Sequence, residues 1–417
     1  MKKKYIAPLL LSFALALVAC GNQEQAADAP TQQPVENEIV VDDKDPFEIP
    51  EYKPADQEEV LPEEEEIVEP EEVIPEGMYR SELTGEWISE ELRDQRPIAV
   101  MVDNEKTALD HFGVNDCDIV YEMMNSVLNN RVTRLMCIKK DWVGTQQLGS
   151  VRSARPTNFM VAAEYNAILI HDGGPFYIDN YAAQGYTNNL SGGFGRFTNG
   201  KHWEYTEYVT YDTYTNPDTG KSYDGLAQRI ERAKYSTTYN DYYPGPHFQF
   251  AAKEQDLTQW AQHQEVLHIE LPFPHNESML DYDPETQTYA YSEYGKPHID
   301  PLDDNRQTTF KNVILQSCSF YQYDDHGYMI YNIEGGSGEG YYISDGYAIP
   351  ITWSKNKQAD LTVYKDEQTG EDLTLNIGKT YIGIVPSDKW NTLVLEGSVT
   401  QAPQEDIQEE TTQETDN

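Results

Sequence analysis

Residues 97–104 read PIAVMVDN, an uninterrupted apolar run that begins at Pro97 and ends at Asp103 and Asn104. A run of this length, with isoleucine and valine between a proline and polar side chains, is typical of a buried β-strand. The pattern therefore predicts a strand over Pro97–Asp103. Three similar runs follow it in the first half of the chain, and these are Asp118–Met124, Val132–Lys139 and Ala167–His171.

Two segments of the first half have the apolar spacing of helices. They are residues 153–166, SARPTNFMVAAEYN, and Asp224–Lys234. Because strands alternate with helices, we expect a mixed α/β layer. Tyr186–Gly220 has no sustained period, and we interpret it as a long irregular excursion of the kind that often carries function. The residues that define the two helical faces are Phe159, Met160, Ala163 and Tyr165 in the first segment and Leu226, Ile230 and Ala233 in the second.

The second half of the chain, from about residue 244, is richer in strand patterns and turn residues. The predicted strand regions are Lys311–Tyr323, Tyr341–Trp353 around Asp345 and Gly346, and Leu361–Leu375 around Gln368–Gly370. We expect them to form an antiparallel sheet. The predicted fold class is therefore α+β, with a mixed α/β layered N-terminal domain over residues 78–243 and a strand-rich C-terminal domain over residues 244–397.

The N-terminal residues 1–20, MKKKYIAPLLLSFALALVAC, combine a lysine cluster, a short apolar run and the sequence LVAC, which ends at Cys20. This arrangement predicts a lipoprotein signal peptide, with the Cys20 thiol as the site of lipid attachment and its amine as a second site of acylation. An ordinary secretory signal with an incidental cysteine is the alternative. The predicted location is the outer face of the cytoplasmic membrane, to which the lipid anchors the chain.

The formal net charge of the chain is −42, and much of it lies near the two ends. Residues 21–77 hold twenty acidic residues and two lysines, and residues 398–417 hold six acidic residues and no basic one. Neither segment has a periodic apolar pattern, so both are predicted to be disordered, the first as an acidic tether and the second as an acidic tail. A calcium-binding or partner-binding role for Glu58–Glu76 is the alternative to a solvated spacer.

Several classes of ligand lack their sequence signals. No basic stripe exists to meet a phosphate backbone, so nucleic acid is not an expected partner. No Cys-x-x-Cys, His-Glu-x-x-His or phosphate-loop motif occurs, so neither a metal nor a cofactor is predicted. Cys117, Cys137 and Cys318 are interpreted as small buried residues, and a bridge between Cys117 and Cys137 is left open.

Five segments of the first half resemble, in sequence and in order, the N-terminal domain of the YerB-like family of Gram-positive lipoproteins. They are PIAVMVDN, DIVYEM, VTRLMCI, LGSVRSARP and AILIHDGG. The later run DGYAIPITWSKNK, with LTVY and EDLTLNIGKTYIGIVP after it, resembles the C-terminal domain of that family. Together they cover most of residues 90–390. The resemblance implies a two-domain α+β extracytoplasmic protein and implies no reaction, because the domains of the family have no known function.

One segment departs from the family pattern. Where the family has an acidic turn with two glycines, roughly VEGGITR, this chain has a longer loop without them over Met124–Arg134. Glycine permits close backbone approach, so the resemblance does not extend to a ligand that needs such an approach at this turn.

The stretch LGSVRSARP, Leu148–Pro156, places two arginines three residues apart in a very acidic chain. We expect Ser153 to cap a helix with Pro156 in its first turn, so that Arg152 and Arg155 flank free N–H groups that favour an anion. Internal pairing of the arginines with Asp103, Glu122 or Asp172 is the equal alternative. The predicted cleft residues, most of them at or beyond strand ends, are Asp103, Asn104, Glu122, Arg134, Arg152, Ser153, Arg155, His171 and Asp172.

The predicted function is that of a lipid-anchored, non-enzymatic envelope protein that binds a protein partner or an anionic cell-wall ligand. The alternative is a wall-active hydrolase or phosphodiesterase, with Asp103 or His171 as base, Arg152 as clamp and Ser153 as nucleophile. Ser153 lies in no nucleophile-elbow sequence, which counts against the enzyme. The thirty tyrosines of the chain are suited to stacking on sugars or to contacts with proteins, although strand propensity explains them as well.

We predict that Cys20→Ala abolishes lipid anchoring, because the thiol is the atom to which the diacylglycerol is attached. In detergent phase partitioning the wild-type protein should enter the detergent phase, whereas the variant should stay unprocessed or be released. A processed, signal-free variant that still partitions into detergent would disprove the lipobox assignment.

Overall fold

The computed structural model describes residues 73–398. The predicted signal peptide, the lipidation site Cys20, most of the acidic tether and the acidic tail after residue 398 lie outside the described residues. Within them, no helix is both long enough and apolar enough to cross a bilayer. The described part is strand-rich and contains three α-helices, which are α1 (Pro156–Glu164), α2 (Asp179–Ala182) and α3 (Leu226–Ala233). This content agrees with the expected α+β class.

A single mixed sheet of eleven strands forms the centre of the molecule. Its strands in chain order are β1 (Ile98–Asp103), β2 (Ile119–Met124), β3 (Thr133–Lys139), β4 (Ile168–His171), β5 (Asn188–Ser191), β6 (Gln264–Glu265), β7 (Asn312–Cys318), β8 (Gly336–Ser344), β9 (Tyr347–Lys355), β10 (Val363–Asp366) and β11 (Thr380–Pro386). The spatial order is β6-β9-β8-β7-β11-β2-β3-β1-β4-β5, and β10 pairs with β9. The four strands predicted in the first half, β1 to β4, are confirmed.

The two halves of the chain meet in the middle of this sheet. β11 pairs in parallel with β2, with Thr380 opposite Ile119, and also in parallel with β7. The division into domains at residue 243 stays a prediction, but the central sheet takes strands from both sides of that position. The expectation of an antiparallel sheet in the second half is wrong for β7 and β11, because the long connection through β8, β9 and β10 returns the chain in the same direction.

A second sheet of six short strands packs near the first. Its order is Lys296–Pro297, Thr288–Glu293, Met279–Asp283, His268–Glu270 and Val394–Glu396, with Thr309–Phe310 beside Thr288–Glu293. The other strands form small sheets, which are Met78–Arg80 with Trp87–Ser89, Leu148–Gly149 with Glu207–Val209 and Gly195–Arg196, Tyr214–Thr215 with Ser222–Tyr223, Gln249–Phe250 with Thr374–Leu375, Ile299–Asp300 with Arg306–Gln307, and Phe320–Gln322 with Met329–Tyr331.

Of the two hairpins predicted in the second half, one forms as expected. β8 and β9 pair around the turn at Asp345 and Gly346. The second, over Leu361–Leu375, is reduced to one isolated bridge, because β10 pairs with β9 and Thr374–Leu375 instead pairs in parallel with Gln249–Phe250. Pairing outside the segment therefore overrides its local hairpin pattern.

Two apolar clusters occupy the opposite faces of the central sheet, because successive side chains of a strand point to opposite faces. Ala99 and Met101 of β1 lie in one cluster with Phe159 of α1. Val100 points to the opposite face of the sheet and lies in the second cluster. This cluster also contains the apolar face of α3 and residues of the second sheet. Every residue of α1 is buried, so this helix has no solvent face, unlike the amphipathic helix that was expected.

The three cysteines of the described part are buried free thiols. Cys117 donates a hydrogen bond to the Gly113 carbonyl at 3.3 Å. The neighbouring Cys117 thiol, and after it burial, hold the pKa of Cys137 well above its usual range. Cys318 lies in the sheet, where burial raises its pKa to about 12. Such thiols are protonated at neutral pH and pack as small apolar groups.

A buried ion pair attaches α1 to the second half of the chain. Lys355 Nζ lies 3.0 Å from Glu164 Oε1, and the two side chains are 0% and 1% exposed. The Glu164 carboxylate also accepts hydrogen bonds from the backbone and hydroxyl of Thr362, at 2.8 and 3.0 Å. Removing the lysine therefore leaves a buried carboxylate without its cation.

We predict that Lys355→Met lowers the free energy of unfolding by about 3–5 kcal/mol, the range for breaking one side of a buried pair. The control is Lys365→Met, because Lys365 pairs with Asp372 at 2.9 Å but is 45% exposed. Its effect should stay within about 0.5 kcal/mol. Urea unfolding of the three proteins measures both values, and equal losses in the two variants would contradict the assignment.

Candidate functional site

The ends of β1 and β3 bring distant parts of the sequence together. Asp103, the last residue of β1, lies opposite Arg134 of β3 in the antiparallel register. The segment after Leu148–Gly149 runs beside β1, where the Arg152 N–H donates to the Met101 carbonyl at 3.0 Å. The predicted residues Asp103, Arg134 and Arg152 therefore meet at one edge of the sheet.

A cavity of about 490 Å³ opens at this edge. Arg134, Arg152 and Arg155 all line it, and the loop that departs from the family pattern forms one wall. The described residues that line the cavity are Asp103, Glu105, Asn125, Ser126, Leu128, Asn129, Val132, Thr133, Arg134, Arg152, Arg155, Glu204, Tyr205, Asp325, His326 and Tyr328. They include four acidic residues, a single histidine and no cysteine.

Arg152 is held by internal carboxylates. Its Nε lies 2.8 Å from Asp103 Oδ2, and its Nη2 lies 3.1 Å from Glu204 Oε2. The guanidinium also lies 5.7 Å from the centre of the Tyr205 ring. For this arginine the structure therefore shows the internal pairing that was one of the two alternatives.

Arg155 is buried without a carboxylate. Its guanidinium stacks on the Tyr328 ring at 3.9 Å, and its Nη1 donates to the Ala154 carbonyl at 2.9 Å. The residue is 5% exposed, and its Nε has no hydrogen-bond partner. Burial lowers the pKa of Arg155, which means that the surroundings penalise its charge.

Arg134, like Arg155, is buried with one guanidinium nitrogen that has no hydrogen-bond partner. It is 8% exposed, its Nη1 donates to the Ser153 carbonyl, and its Nε is buried without a partner. Burial, and after it the positive charge of Arg155, lower the pKa of Arg134 to about 9. Among the described residues neither Arg134 nor Arg155 forms an ion pair, and the carboxylates of Asp103 and Asp324 act on them only from a greater distance.

Ser153 does not cap α1, contrary to expectation. The N-cap is Arg155, whose backbone N–H donates to Asn158 Oδ1 at 2.6 Å, and Pro156 is the first helical residue. Ser153 lies two residues earlier, and its carbonyl accepts from Arg134. The helix starts later because Asn158 supplies the side-chain acceptor from within the first turn.

His171 and Asp172 lie outside the cavity lining. His171 is buried, with Nδ1 2.8 Å from the Gly173 carbonyl and Nε2 3.1 Å from Asn189 Oδ1, and burial lowers its pKa. Asp172 pairs with Arg196 at 3.0 Å. Of the proposed Asp103, Arg152 and His171 cluster, the structure brings only the first two together.

Glu122 and Asn104 also lie away from the cavity, in a buried polar network between the two sheets. The Glu122 carboxylate accepts from Thr133, Ser278, Tyr291, Tyr381 and Asn104, at 2.6 to 3.3 Å. Burial raises the pKa of Glu122, while these hydrogen bonds lower it. Both residues therefore connect the sheets and do not contact a ligand in the cavity.

Sequence reasoning missed four residues of the cavity wall that matter for its chemistry. Glu204 and Tyr205 belong to the Tyr186–Gly220 excursion, whose length was the only signal for them. Tyr328 and His326 come from a turn of the second half, and no local pattern relates them to the arginines. They reach the cavity because Ser126 forms a bridge with Tyr328.

Comparisons with known proteins place the chain in a family. The models of the families "Protein of unknown function (DUF3048) N-terminal domain" and "Protein of unknown function (DUF3048) C-terminal domain" match residues 83–236 and 269–382. "Putative lipoprotein YerB" of Bacillus subtilis (strain 168) is 23% identical over 312 residues, which are 74% of this chain and 86% of that protein.

The fold is that of a solved relative. The crystal structure of the YerB protein from Bacillus subtilis matches with a TM-score of 0.58 at 20% identity, over 76% of this chain and 99% of the solved one. Both matched regions contribute strands to the central sheet. The chain therefore belongs to the YerB-like family, and it contains the N-terminal and the C-terminal domain of unknown function in that order.

Proposed function

We propose that this protein is a lipid-anchored extracytoplasmic envelope protein that binds a phosphate or carboxylate group of a cell-wall ligand in the cavity beside Arg134 and Arg155. The observation that carries the proposal is the pair of buried guanidinium groups, each with an unpartnered Nε and without a carboxylate. Buried charges are normally paired, so an anion from outside the chain completes this site.

The shape of the site suits such an anion. A guanidinium offers a planar fork of N–H donors, which matches the oxygen atoms of phosphate and carboxylate. The rings of Tyr205 and Tyr328 line the same cavity and offer faces on which a sugar can stack. The ligand class that fits both features is a sugar polymer that carries phosphate or carboxylate groups.

The proposed location follows from Cys20 and from the name of the relative, which is that of a lipoprotein. The proposed role of the acidic residues 21–77 is that of a spacer between the lipid anchor and the folded part, because like charges repel one another.

No observation favours the hydrolase or phosphodiesterase. A general base must reach the nucleophile, but both ring nitrogens of His171 are engaged and Asp103 is held by Arg152. The Ser153 hydroxyl is not among the groups that line the cavity. Binding is therefore the activity that the geometry supports best.

We predict that inorganic phosphate raises the melting temperature of the full chain in detergent, because a ligand that binds only the folded state stabilises it. Arg155→Gln should abolish the rise, since it removes one of the two unpaired cations. The control is Arg232→Gln on α3, because Arg232 is 65% exposed and already pairs with Asp224. Thermal scans at constant ionic strength, with sodium chloride and acetate in place of phosphate, measure the response.

The result that would overturn the proposal is a wild-type chain whose melting temperature does not change with phosphate or with acetate. An equal rise in the Arg155→Gln variant would have the same consequence, because the anion would then bind elsewhere. A rise with acetate alone would assign the cavity to carboxylates.

For Arg152 we predict a loss of stability instead of a loss of ligand response. Arg152→Ala leaves the buried Asp103 carboxylate without its partner, which should lower the free energy of unfolding by about 1–3 kcal/mol in urea titrations. The phosphate response should remain, because Arg134 and Arg155 are intact. Unchanged stability with a lost response would mean that Arg152 binds the ligand.

A further inference from the structure

Three buried side chains converge behind the cavity, on the far side of Asp103. His111 follows β1, whereas Glu293 ends one strand of the second sheet and His298 directly follows another, Lys296–Pro297. They are 0%, 1% and 2% exposed, and each offers a ligand atom within 4.8 Å of the others. The arrangement of their protons decides what can lie between them.

The proton of neutral His111 is on Nε2. This atom lies 2.6 Å from the Asp103 backbone carbonyl, which can only accept a hydrogen bond. His111 Nδ1 therefore carries a lone pair, and this lone pair faces His298.

The proton of neutral His298 is on Nδ1. The Asn115 amide nitrogen donates to Asp303 at 2.9 Å and to the Arg306 carbonyl at 3.3 Å, so Asn115 Oδ1 is the atom that accepts from the Thr308 hydroxyl at 2.6 Å. That hydroxyl has a single proton, so it accepts from His298 Nδ1, which is 2.8 Å away. His298 Nε2 therefore also carries a lone pair.

Two lone pairs thus face each other. His111 Nδ1 lies 2.8 Å from His298 Nε2, and Glu293 Oε1 lies 3.9 Å from the same Nε2. Glu293 Oε1 is buried without a hydrogen-bond partner. With both imidazoles neutral and the Glu293 carboxyl ionised, three acceptor atoms converge with no donor among them, and a cation between them would satisfy all three.

We propose that His111, Glu293 and His298 form a binding site for a divalent transition-metal ion, with zinc as the ion whose preferences fit best. Two imidazole nitrogens and a carboxylate oxygen supply three of the four ligands of a tetrahedral zinc ion, which leaves one position for water. Zinc–nitrogen distances of about 2.0–2.1 Å require the two ring nitrogens to separate by roughly 0.5 Å from their present distance.

Each of the two histidines is fixed by a hydrogen bond from its other ring nitrogen, as metal-binding histidines usually are. Each ring gives its other N–H to an acceptor, the Asp103 carbonyl or the Thr308 hydroxyl, which fixes the ring and its tautomer. A proton is the competing occupant.

The metal proposal does not rest on the proposed function, although Asp103 contacts His111 and also lines the anion cavity. It joins the segment after β1 to the second sheet, so a metal ion there fixes parts of the chain that are 187 residues apart in sequence.

The experiment uses the full chain in detergent, stripped with EDTA and titrated with Zn²⁺ in competition with a chromogenic chelator. The wild-type protein should take up one Zn²⁺ per chain, and Co²⁺ in its place should give the visible absorption of tetrahedral coordination. Glu293→Gln and His298→Gln should lose stoichiometric uptake. Thr308→Val should weaken binding by roughly 10- to 100-fold, because it removes an acceptor that orients His298.

The matched control is His263→Gln, because His263 is exposed and bonded to the Trp260 carbonyl at 2.6 Å. It should bind Zn²⁺ as the wild type does. A wild-type chain that takes up neither Zn²⁺ nor Co²⁺ at one equivalent overturns the proposal, and the cluster is then a proton-sharing histidine pair. If His298→Gln fails to fold, the Co²⁺ spectrum of the wild type and the Zn²⁺ uptake of Glu293→Gln still decide whether the site binds a metal ion.

Discussion

The parallel pairing of β2 with β11 is the interaction on which the rest of the structure depends. β2 belongs to the first half of the chain and β11 to its last folded part, and each has a partner from its own half on the other side. Without β11 the edge of β2 would expose unpaired backbone groups in the middle of the molecule. Because β3 follows β2 and carries Arg134, the same pairing brings the arginines to Tyr328 of the second half. The cavity therefore needs both halves.

Buried polar groups divide into two kinds in this molecule. Glu122 is fully buried, yet five donors from both halves satisfy its carboxylate, so it holds the sheets together and has nothing left to offer a ligand. Arg134, Arg155 and Glu293 are 8%, 5% and 1% exposed, and they keep atoms without partners. An unsatisfied buried charge is costly, and where several such groups converge on one cavity or cluster we infer that a ligand completes them.

The sequence predicts strands and helices that depend on local apolar patterns. It does not predict contacts between residues that are far apart in the chain. PIAVMVDN identifies β1 because an apolar run and its boundaries are local features. The start of α1 was misplaced because Asn158, inside the helix, competes with Ser153 for the capping role. The hydrogen-bond donors of Glu122 were not predictable from the sequence, since one of them, Tyr381, lies 259 residues away. The contact between His111 and His298 was not predictable either, because these residues are 187 positions apart. Arginines at a helix start indicated an anion site, but only the structure shows that Arg152 is paired and Arg155 is not.

Asp103 connects the two sites that have unsatisfied atoms. Its carbonyl accepts from His111, and its carboxylate pairs with Arg152 in the cavity wall. A metal ion that separates the two histidine rings would press the His111 ring toward this carbonyl, and an anion beside Arg155 would also attract Arg152, the partner of the carboxylate. Both ligands therefore act on one residue from opposite sides. If both sites bind, linkage requires that each ligand changes the affinity of the other by the same factor, whichever sign the coupling has.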